Sequence, residues 1–193
     1  MINIILASKS KVREQILKSN NLNCEVIPSN VDEEPIKNNL IKNGVSPEII
    51  SKNLAELKAN KVSQSNEDRI VLGADSVIDL ENKIISKPNN REEALSILQK
   101  LNGKTHFLIS SVCVSQNGSM MWNYTEKAKL KMKNFNEEQL KKYLSKISDE
   151  NLYDYNVYQI EGEGKKLFSE ISGDKNTIMG LPVGKIKEYL NKL

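Results

Sequence analysis

The sequence predicts an α/β (α+β) protein with a mixed sheet flanked by helices, and two observations lead there. Short apolar β-type runs first alternate with segments of helical spacing, the pattern of strands linked by helices. Two long β-type stretches then follow one another across Gln116-Asn117-Gly118, a type I′ hairpin signal, so part of the sheet is antiparallel. With 193 residues the chain suits one domain, 1–193, since a domain typically takes about 100–200 residues.

The chain is organised around Val71-Leu-Gly-Ala-Asp-Ser-Val-Ile78. Apolar residues flank a small Gly73-Ala74 step, which reads as a buried central strand with Asp75 inside it. Before it, Ile2–Leu6 reads as a strand and Ala7–Ser10 as a polar loop. A helix follows through Val12, Ile16 and Leu17, with Ser10 placed to cap it by accepting from the Arg13 amide. Cys24–Ile27 is a second strand, stopped by Pro28, and Val31–Pro35 an acidic turn. Ile36–Lys42 and Ser46–Asn60 are helical, the latter with a serine cap and an early proline and acid.

After the central strand, Leu80–Lys83 turns into a short strand, Ile84-Ile85, that ends at Ser86-Lys87-Pro88. Arg91–Leu101 is an amphipathic helix closed by Asn102-Gly103. Thr105–Val114 and Ser119–Lys131 form the hairpin, and Glu137–Ile147 a further helix. A tyrosine-rich stretch, Tyr153–Tyr158, precedes Gln159–Gly164, whose glycines let backbone approach a ligand. Leu167–Ile171 is a strand, Ser172–Asn176 a loop and Val183–Leu193 the last helix.

Composition narrows the function classes. Hydrophobic residues make up 38% and charged residues 27%, ordinary globular values. A net charge of +3 gives no footprint for nucleic acid. Cys24 and Cys113 lie apart without a CxxC or histidine partner, which argues against zinc and for a reduced, cytoplasmic setting. The sequence shows neither a charged leader nor a long apolar run, so no membrane association is expected.

Four features carry chemistry. A carboxylate in a buried strand must be compensated by a cation, a metal or donors, because an unpaired buried charge costs several kcal/mol; Asp75 is that group. The free amides of the first helical turn, with Lys9, Lys11 and Arg13, make a basic anion-binding end beside Ser8 and Ser10. Lys58 lies beside the apolar stripe of its helix, from which it can snorkel or reach a ligand. The hairpin after the central strand brings Lys87 into that strand's neighbourhood. His106, the one histidine, has no second ligand nearby and reads as structural.

These residues also resemble a known family. Leu6-Ala-Ser-Lys-Ser10 with Arg13, Val31-Asp-Glu33, Leu54–Ala59, Gly73-Ala-Asp75, Lys87-Pro88, Gly103–His106 and Gly180-Leu-Pro182 fall in the order and approximate spacing of the Maf family. The resemblance covers nearly the whole chain and implies an inosine-triphosphatase-like fold with an elongated, twisted mixed sheet. It implies hydrolysis of a nucleoside triphosphate to the monophosphate and pyrophosphate with a divalent metal, Mg²⁺ or Mn²⁺. By the same carry-over, Asp75 is the proton acceptor, Glu33 and Asp75 hold the metal, and Ser8, Ser10, Arg13, Lys58 and Lys87 bind phosphate. A cytoplasmic homodimer is implied as well.

Two positions depart from the family pattern. Many members have Pro-Arg-Arg after the serine where this chain has Lys11-Val12-Arg13, and Ile160-Glu161-Gly162 replaces the Ile-Gln-Gly of some pyrimidine-directed members. Val12, Ser76 and Glu161 are the candidate base-specificity positions. A carboxylate at 161 offers only acceptors, which suits the adjacent N1 and N2 donors of guanine, and the Glu-Gly-x-Gly form resembles the branch that takes 7-methyl-GTP. The competing expectations are a dTTP or UTP pyrophosphatase of the same family and a non-catalytic nucleotide-binding regulator of cell division.

Overall fold

The computed structural model describes residues 3–149, 152 and 157–193. Ile2 of the first expected strand and residues 153–156 of the tyrosine-rich stretch lie outside the described residues. The strands are β1 (Ile4–Leu6), β2 (Cys24–Val26), β3 (Val71–Leu80), β4 (Lys83–Ile85), β5 (Thr105–Gln116), β6 (Ser119–Met132) and β7 (Phe168–Ser172). The helices are α1 (Lys11–Ser19), α2 (Glu33–Lys42), α3 (Pro47–Ser63), α4 (Arg91–Leu101), α5 (Glu137–Leu144), α6 (Lys175–Ile178) and α7 (Val183–Leu190), with a 3-10 turn at Glu163–Leu167. The fold is α/β with a seven-stranded mixed sheet, in the hydrogen-bonded order β2-β1-β3-β5-β6-β7 and with β4 beside β3. None of the helices among the described residues is long and apolar enough to cross a membrane.

The chain divides into two compact units. The first comprises Met1–Val77, Ile109–Lys127 and Asp174–Leu193. There β1 pairs in parallel with β2, Ile4 against Cys24, and with β3, Leu6 against Leu72. Because side chains alternate along a strand, Ile4, Leu6, Leu72, Ala74, Val112 and Val114 line one face, covered by Ile16 and Leu17 of α1 and by Val183, Ile186 and Leu190 of α7. Ile5, Ala7 and Val71 pack with Val62, and Cys113 with Ala55 and Ala59, so α3 covers the opposite face. Burial pushes the Cys113 thiol up to about 11, which leaves it a packing residue.

The second unit comprises Ile78–Leu108 and Ala128–Gly173. The end of β3 pairs antiparallel with β4, Ile78 against Ile85, and β6 pairs antiparallel with β7, Leu130 against Ile171. Helices α4 and α5 pack against each other, with Ala94, Leu98 and Leu101 of α4 and Leu140 and Leu144 of α5 buried. Arg91 donates to the Leu144 and Ile147 carbonyls at 2.9 and 2.8 Å, satisfying acceptors the end of α5 leaves open. His106 is buried, 2.8 Å from the Tyr158 hydroxyl and tilted against Phe168, and burial pulls its pKa down to about 4. It is a neutral core residue, as its isolation in the sequence implies.

Several boundaries differ from the sequence-based reading, each for a local reason. Glu33, Glu34 and Pro35 form the first turn of α2 instead of a loop, where acids favour the helix N-terminus and a proline loses little. Helix α3 runs three residues further, to Ser63, because Val62 is still buried. The expected loop at Ser172–Asn176 contains the start of α6, capped by Asp174 accepting from the Thr177 amide at 2.9 Å. Helices α5 and α7 stop at Leu144 and Leu190, short of Ile147 and Leu193.

Candidate active site

The site grows from one packing detail. A Cβ added at Gly73 would lie 2.2 Å from the Ala55 carbonyl oxygen and 2.7 Å from the Ala59 amide nitrogen, so only glycine lets α3 lie this close to β3. That contact seats Lys58, which lies between Ala55 and Ala59 on α3, beside Asp75, the next residue of β3 on the same face. Lys58, 6% exposed, meets Asp75, 7% exposed, with Nζ 2.8 Å from Oδ1. Ser51, about two turns before Lys58 on α3 and fully buried, donates to the Asp75 backbone carbonyl at 3.2 Å.

Glu33 completes a triad. Its Oε2 lies 2.7 Å from the same Lys58 ammonium, so one cation bridges two carboxylates. The first turn of α2 carries Glu33 there, and its side chain is 38% exposed where Asp75 is not. Asp75 Oδ2 is buried without a hydrogen-bond partner. A lone pair in that state costs free energy unless a ligand uses it.

Arg13 approaches from the opposite face of β3, carried by α1. Its Nε donates to the Gly180 carbonyl at 2.9 Å, Nη1 to the Ala74 carbonyl at 2.9 Å and to Ser8 Oγ at 3.3 Å, and Nη2 to Ser76 Oγ at 3.0 Å. Burial lowers the Arg13 pKa while Asp75 and Glu33 pull it back up, and a guanidinium stays charged throughout. Lys58 also reaches the Ala74 carbonyl, at 3.5 Å, so both cations converge on one peptide. In the loop between β1 and α1, Ser10 caps α1 by accepting from the Arg13 amide at 3.4 Å, and Ser8 Oγ accepts from the Ser10 amide at 3.2 Å, bonds that use neither hydroxyl proton.

Of the residues singled out in the sequence, Ser8, Ser10, Arg13, Glu33, Lys58, Asp75 and Ser76 come together in the first unit. Val12 belongs to that unit too but packs against its core. Lys87 and Glu161 belong to the second unit, exposed in the loop after β4 and in the turn before the 3-10 segment. Gly180, Ser51 and the Ala74 carbonyl take part in the site without having been singled out for it. Gly180 and Ala74 left a trace, as parts of family motifs, and the Gly180 φ of +97° is a backbone state that favours glycine.

The donor set bears on a metal. Two carboxylates with an orphaned buried oxygen suit a hard divalent cation of the Mg²⁺ kind, which uses one or two protein carboxylates and takes its remaining ligands from phosphates and water. No cluster of three or more His, Cys, Asp or Glu among the described residues could hold an ion alone. The residues therefore fit an ion shared with a bound phosphate.

With this geometry in view, comparison with known proteins is decisive on kinship. The family described as Maf-like protein matches residues 3–193. The chain belongs to the Maf family. The nucleoside triphosphate pyrophosphatase of Pelagibacter ubique is 69% identical over 187 residues, covering 97% of this chain and 96% of that protein. The Maf relative from Caulobacter vibrioides of the same name is 37% identical over 97% of this chain and 94% of its own length. The 7-methyl-GTP pyrophosphatase of Brucella abortus is 35% identical over 94% and 92%. Among solved structures, a HAM1 protein from Coxiella burnetii aligns over 68% of this chain and 73% of its own, at 13% identity and a TM-score of 0.41, a likeness too low to carry an argument.

Proposed function

We propose that this Maf protein is a nucleoside triphosphate pyrophosphatase, releasing pyrophosphate and a nucleoside monophosphate, with Asp75, Lys58 and Glu33 at the reacting centre. The observation that carries the reading is Asp75 itself: buried, tied to an ammonium through Oδ1, and left with an unused acceptor at Oδ2. An acceptor held in that way can take the proton of an attacking water, the role of a general base. Lys58 holds the carboxylate in place, and the Ser8–Arg13 loop offers amide and hydroxyl donors to phosphate oxygens at a helix N-terminus. A divalent cation held by Glu33 and Asp75 would supply charge neutralisation and Lewis acidity. Lys87 serves the phosphates on the strength of the family resemblance.

The names of relatives support the same chemistry, and one group of them supports a guanine-type substrate such as 7-methyl-GTP. Glu161 is the residue of this chain that favours guanine over uracil or thymine, by its acceptor-only edge. Homodimer formation and a cytoplasmic location belong to the same reading and rest on the resemblance. The test is product analysis with a panel of triphosphates and Mg²⁺. Monophosphate with pyrophosphate is expected; diphosphate with orthophosphate would mean attack at the γ-phosphorus and defeat the proposal, and no turnover at all would favour a nucleotide-binding regulator.

A further inference from the structure

On the far side of Arg13 from the carboxylates, a half-buried hydroxyl, Ser76, and a fully buried one, Ser110, lead away from the site, both within the first unit. Ser76 Oγ, which accepts from Arg13 Nη2, is 2.9 Å from Ser110 Oγ. Ser110 is fully buried on β5, and its Oγ is 2.8 Å from the Thr177 carbonyl. Distance alone leaves the Ser76–Ser110 bond without a direction, but chemistry assigns one. A carbonyl cannot donate, so the single Ser110 proton is committed to Thr177. Ser76 must then donate to Ser110, and its own oxygen is left to accept from Arg13. The hydrogen bonds run one way, from guanidinium to Ser76 to Ser110 to a backbone carbonyl.

The far end of this row is fixed independently. Thr177 is fully buried, its amide donates to Asp174 Oδ1 at 2.9 Å and its hydroxyl to Glu126. Three residues on, the Gly180 carbonyl accepts from Arg13 Nε. A Cβ at Gly180 would meet Ser76 Oγ at 3.1 Å and Arg13 Nε at 3.4 Å, so the backbone closes directly over the pair. The 174–180 segment thus grips Arg13 twice, once through its own carbonyl and once through Ser110 and Ser76.

We propose that Ser110 is a positioning residue of the active site: by committing its proton to Thr177 it orients the Ser76 hydroxyl and so locks the Arg13 guanidinium, with four of its five N–H groups engaged by protein, in one rotamer. Ser110 touches no reacting group. Its effect passes through Ser76, and Ser76 keeps only acceptor capacity toward anything that binds beside it. Removing the Ser110 hydroxyl frees the Ser76 proton to turn and leaves the Thr177 carbonyl with the Gly180 amide, at 3.0 Å, but without its side-chain donor.

The chain contains only three arginines, Arg13, Arg69 and Arg91, so Nε–H exchange can be followed residue by residue in protein labelled with ¹⁵N at arginine. Arg13 is expected to exchange more slowly than Arg69 and Arg91. Ser110→Ala should speed Arg13 exchange at least tenfold and lower kcat/KM for GTP about tenfold, with Ser110→Thr restoring both. In a Ser76→Ala background, adding Ser110→Ala should change Arg13 exchange less than twofold, because the link is already cut. Should the alanine variant not fold, Ser110→Cys keeps the shape with a weaker donor and should show the same acceleration. Unchanged Arg13 exchange, or fully additive effects of the two substitutions, would overturn the proposal. The kinetic arm rests on the pyrophosphatase reading and the exchange arm does not, so an accelerated exchange in a protein without turnover would indict the function and spare the relay.

Discussion

Replacing Gly73 by alanine should damage stability and chemistry together, because one contact serves both. The new methyl carbon would sit 2.2 Å from the Ala55 carbonyl oxygen and 2.9 Å from the Ala59 Cβ, and backbone on both sides prevents an easy escape. Helix α3 must retreat by on the order of 1 Å before an ordinary carbon–oxygen contact of about 3.3 Å returns. Overpacking of this kind costs about 1–3 kcal/mol, of which alanine returns roughly 0.5–1 through the less flexible unfolded chain. The net cost is about 0–2.5 kcal/mol, and at about 2–4 °C per kcal/mol for a chain of this size Tm is expected to fall by up to about 10 °C. The same retreat carries Lys58 away from the Asp75 oxygen that now lies 2.8 Å from it. A misplacement of about 1 Å at a reacting group lowers the rate about a hundredfold, and that loss should appear in kcat/KM measured well below the melting temperature. Gly184→Ala is the control: nothing lies within 4 Å of its added Cβ, and inside α7 it should be neutral or raise stability by about 0.5–1 kcal/mol. Melting curves and kinetics for the two variants settle the matter. If Gly73→Ala keeps the wild-type Tm and kcat/KM, the reasoning from the α3–β3 contact to Lys58 is refuted.

Four further outcomes follow from the site and the core. Asp75→Asn should lower kcat by about a hundredfold to ten-thousandfold while nucleotide Kd, read by calorimetry, changes little; a near-normal kcat makes Asp75 structural. Treatment with EDTA should bring turnover to background and added Mg²⁺ or Mn²⁺ should restore it, and activity that survives chelation contradicts the metal assignment of Glu33 and Asp75. Burial holds the His106 pKa near 4 against about 6.5 in the unfolded chain, so between those values the unfolded state binds more protons and stability falls as pH falls. The loss across that window is about 3 kcal/mol, visible in urea midpoints at several pH values, and His106→Gln should flatten the slope. Glu161→Gln should narrow the preference for GTP and 7-methyl-GTP over UTP and dTTP by roughly tenfold to a hundredfold in kcat/KM, and a wild-type enzyme that already favours UTP or dTTP excludes the acceptor-edge argument.

Some of this site is legible in the chain because local rules apply to it. Asp75 stands out as a charge in an apolar β run, Lys58 as a cation beside the apolar stripe of a helix, and Ser10 as a cap three residues before the amide it accepts from. The Asn117-Gly118 hairpin is legible for the same reason, and both residues adopt the positive φ that a type I′ turn requires. What the sequence hides is whatever depends on residues far apart along the chain. Gly180 lies 167 positions from the Arg13 it anchors, and no periodicity links them. Glu33 is an intermediate case: its acid-rich surroundings fit a solvated loop and the first turn of a helix equally well, and only packing selects the helix. Gly73 signals a close approach by being glycine inside a strand, yet the partner, α3, is not readable from that signal.

The hydrogen-bond count around Lys58 and Arg13 bears on how a polyanion can be accepted. An ammonium has three donors, and Lys58 directs them at Glu33, Asp75 and the Ala74 carbonyl, the last at a long 3.5 Å. Arg13 has one N–H beyond the four engaged by protein. Two cations set against two carboxylates make the cluster close to neutral by itself, and both cations are committed mainly to holding it together. A triphosphate entering such a site finds little uncommitted positive charge in this cluster. The missing charge has to come from the amide end of α1, from exposed lysines or from a divalent ion, and the ion is the source that the Glu33 and Asp75 carboxylates would themselves hold. The long bond from Lys58 to the Ala74 carbonyl is the weakest of its three, so it is the one Lys58 can exchange for a phosphate oxygen without releasing either carboxylate. The positioning of the carboxylates and the binding of the substrate are in this way divided between different donors of the same ammonium.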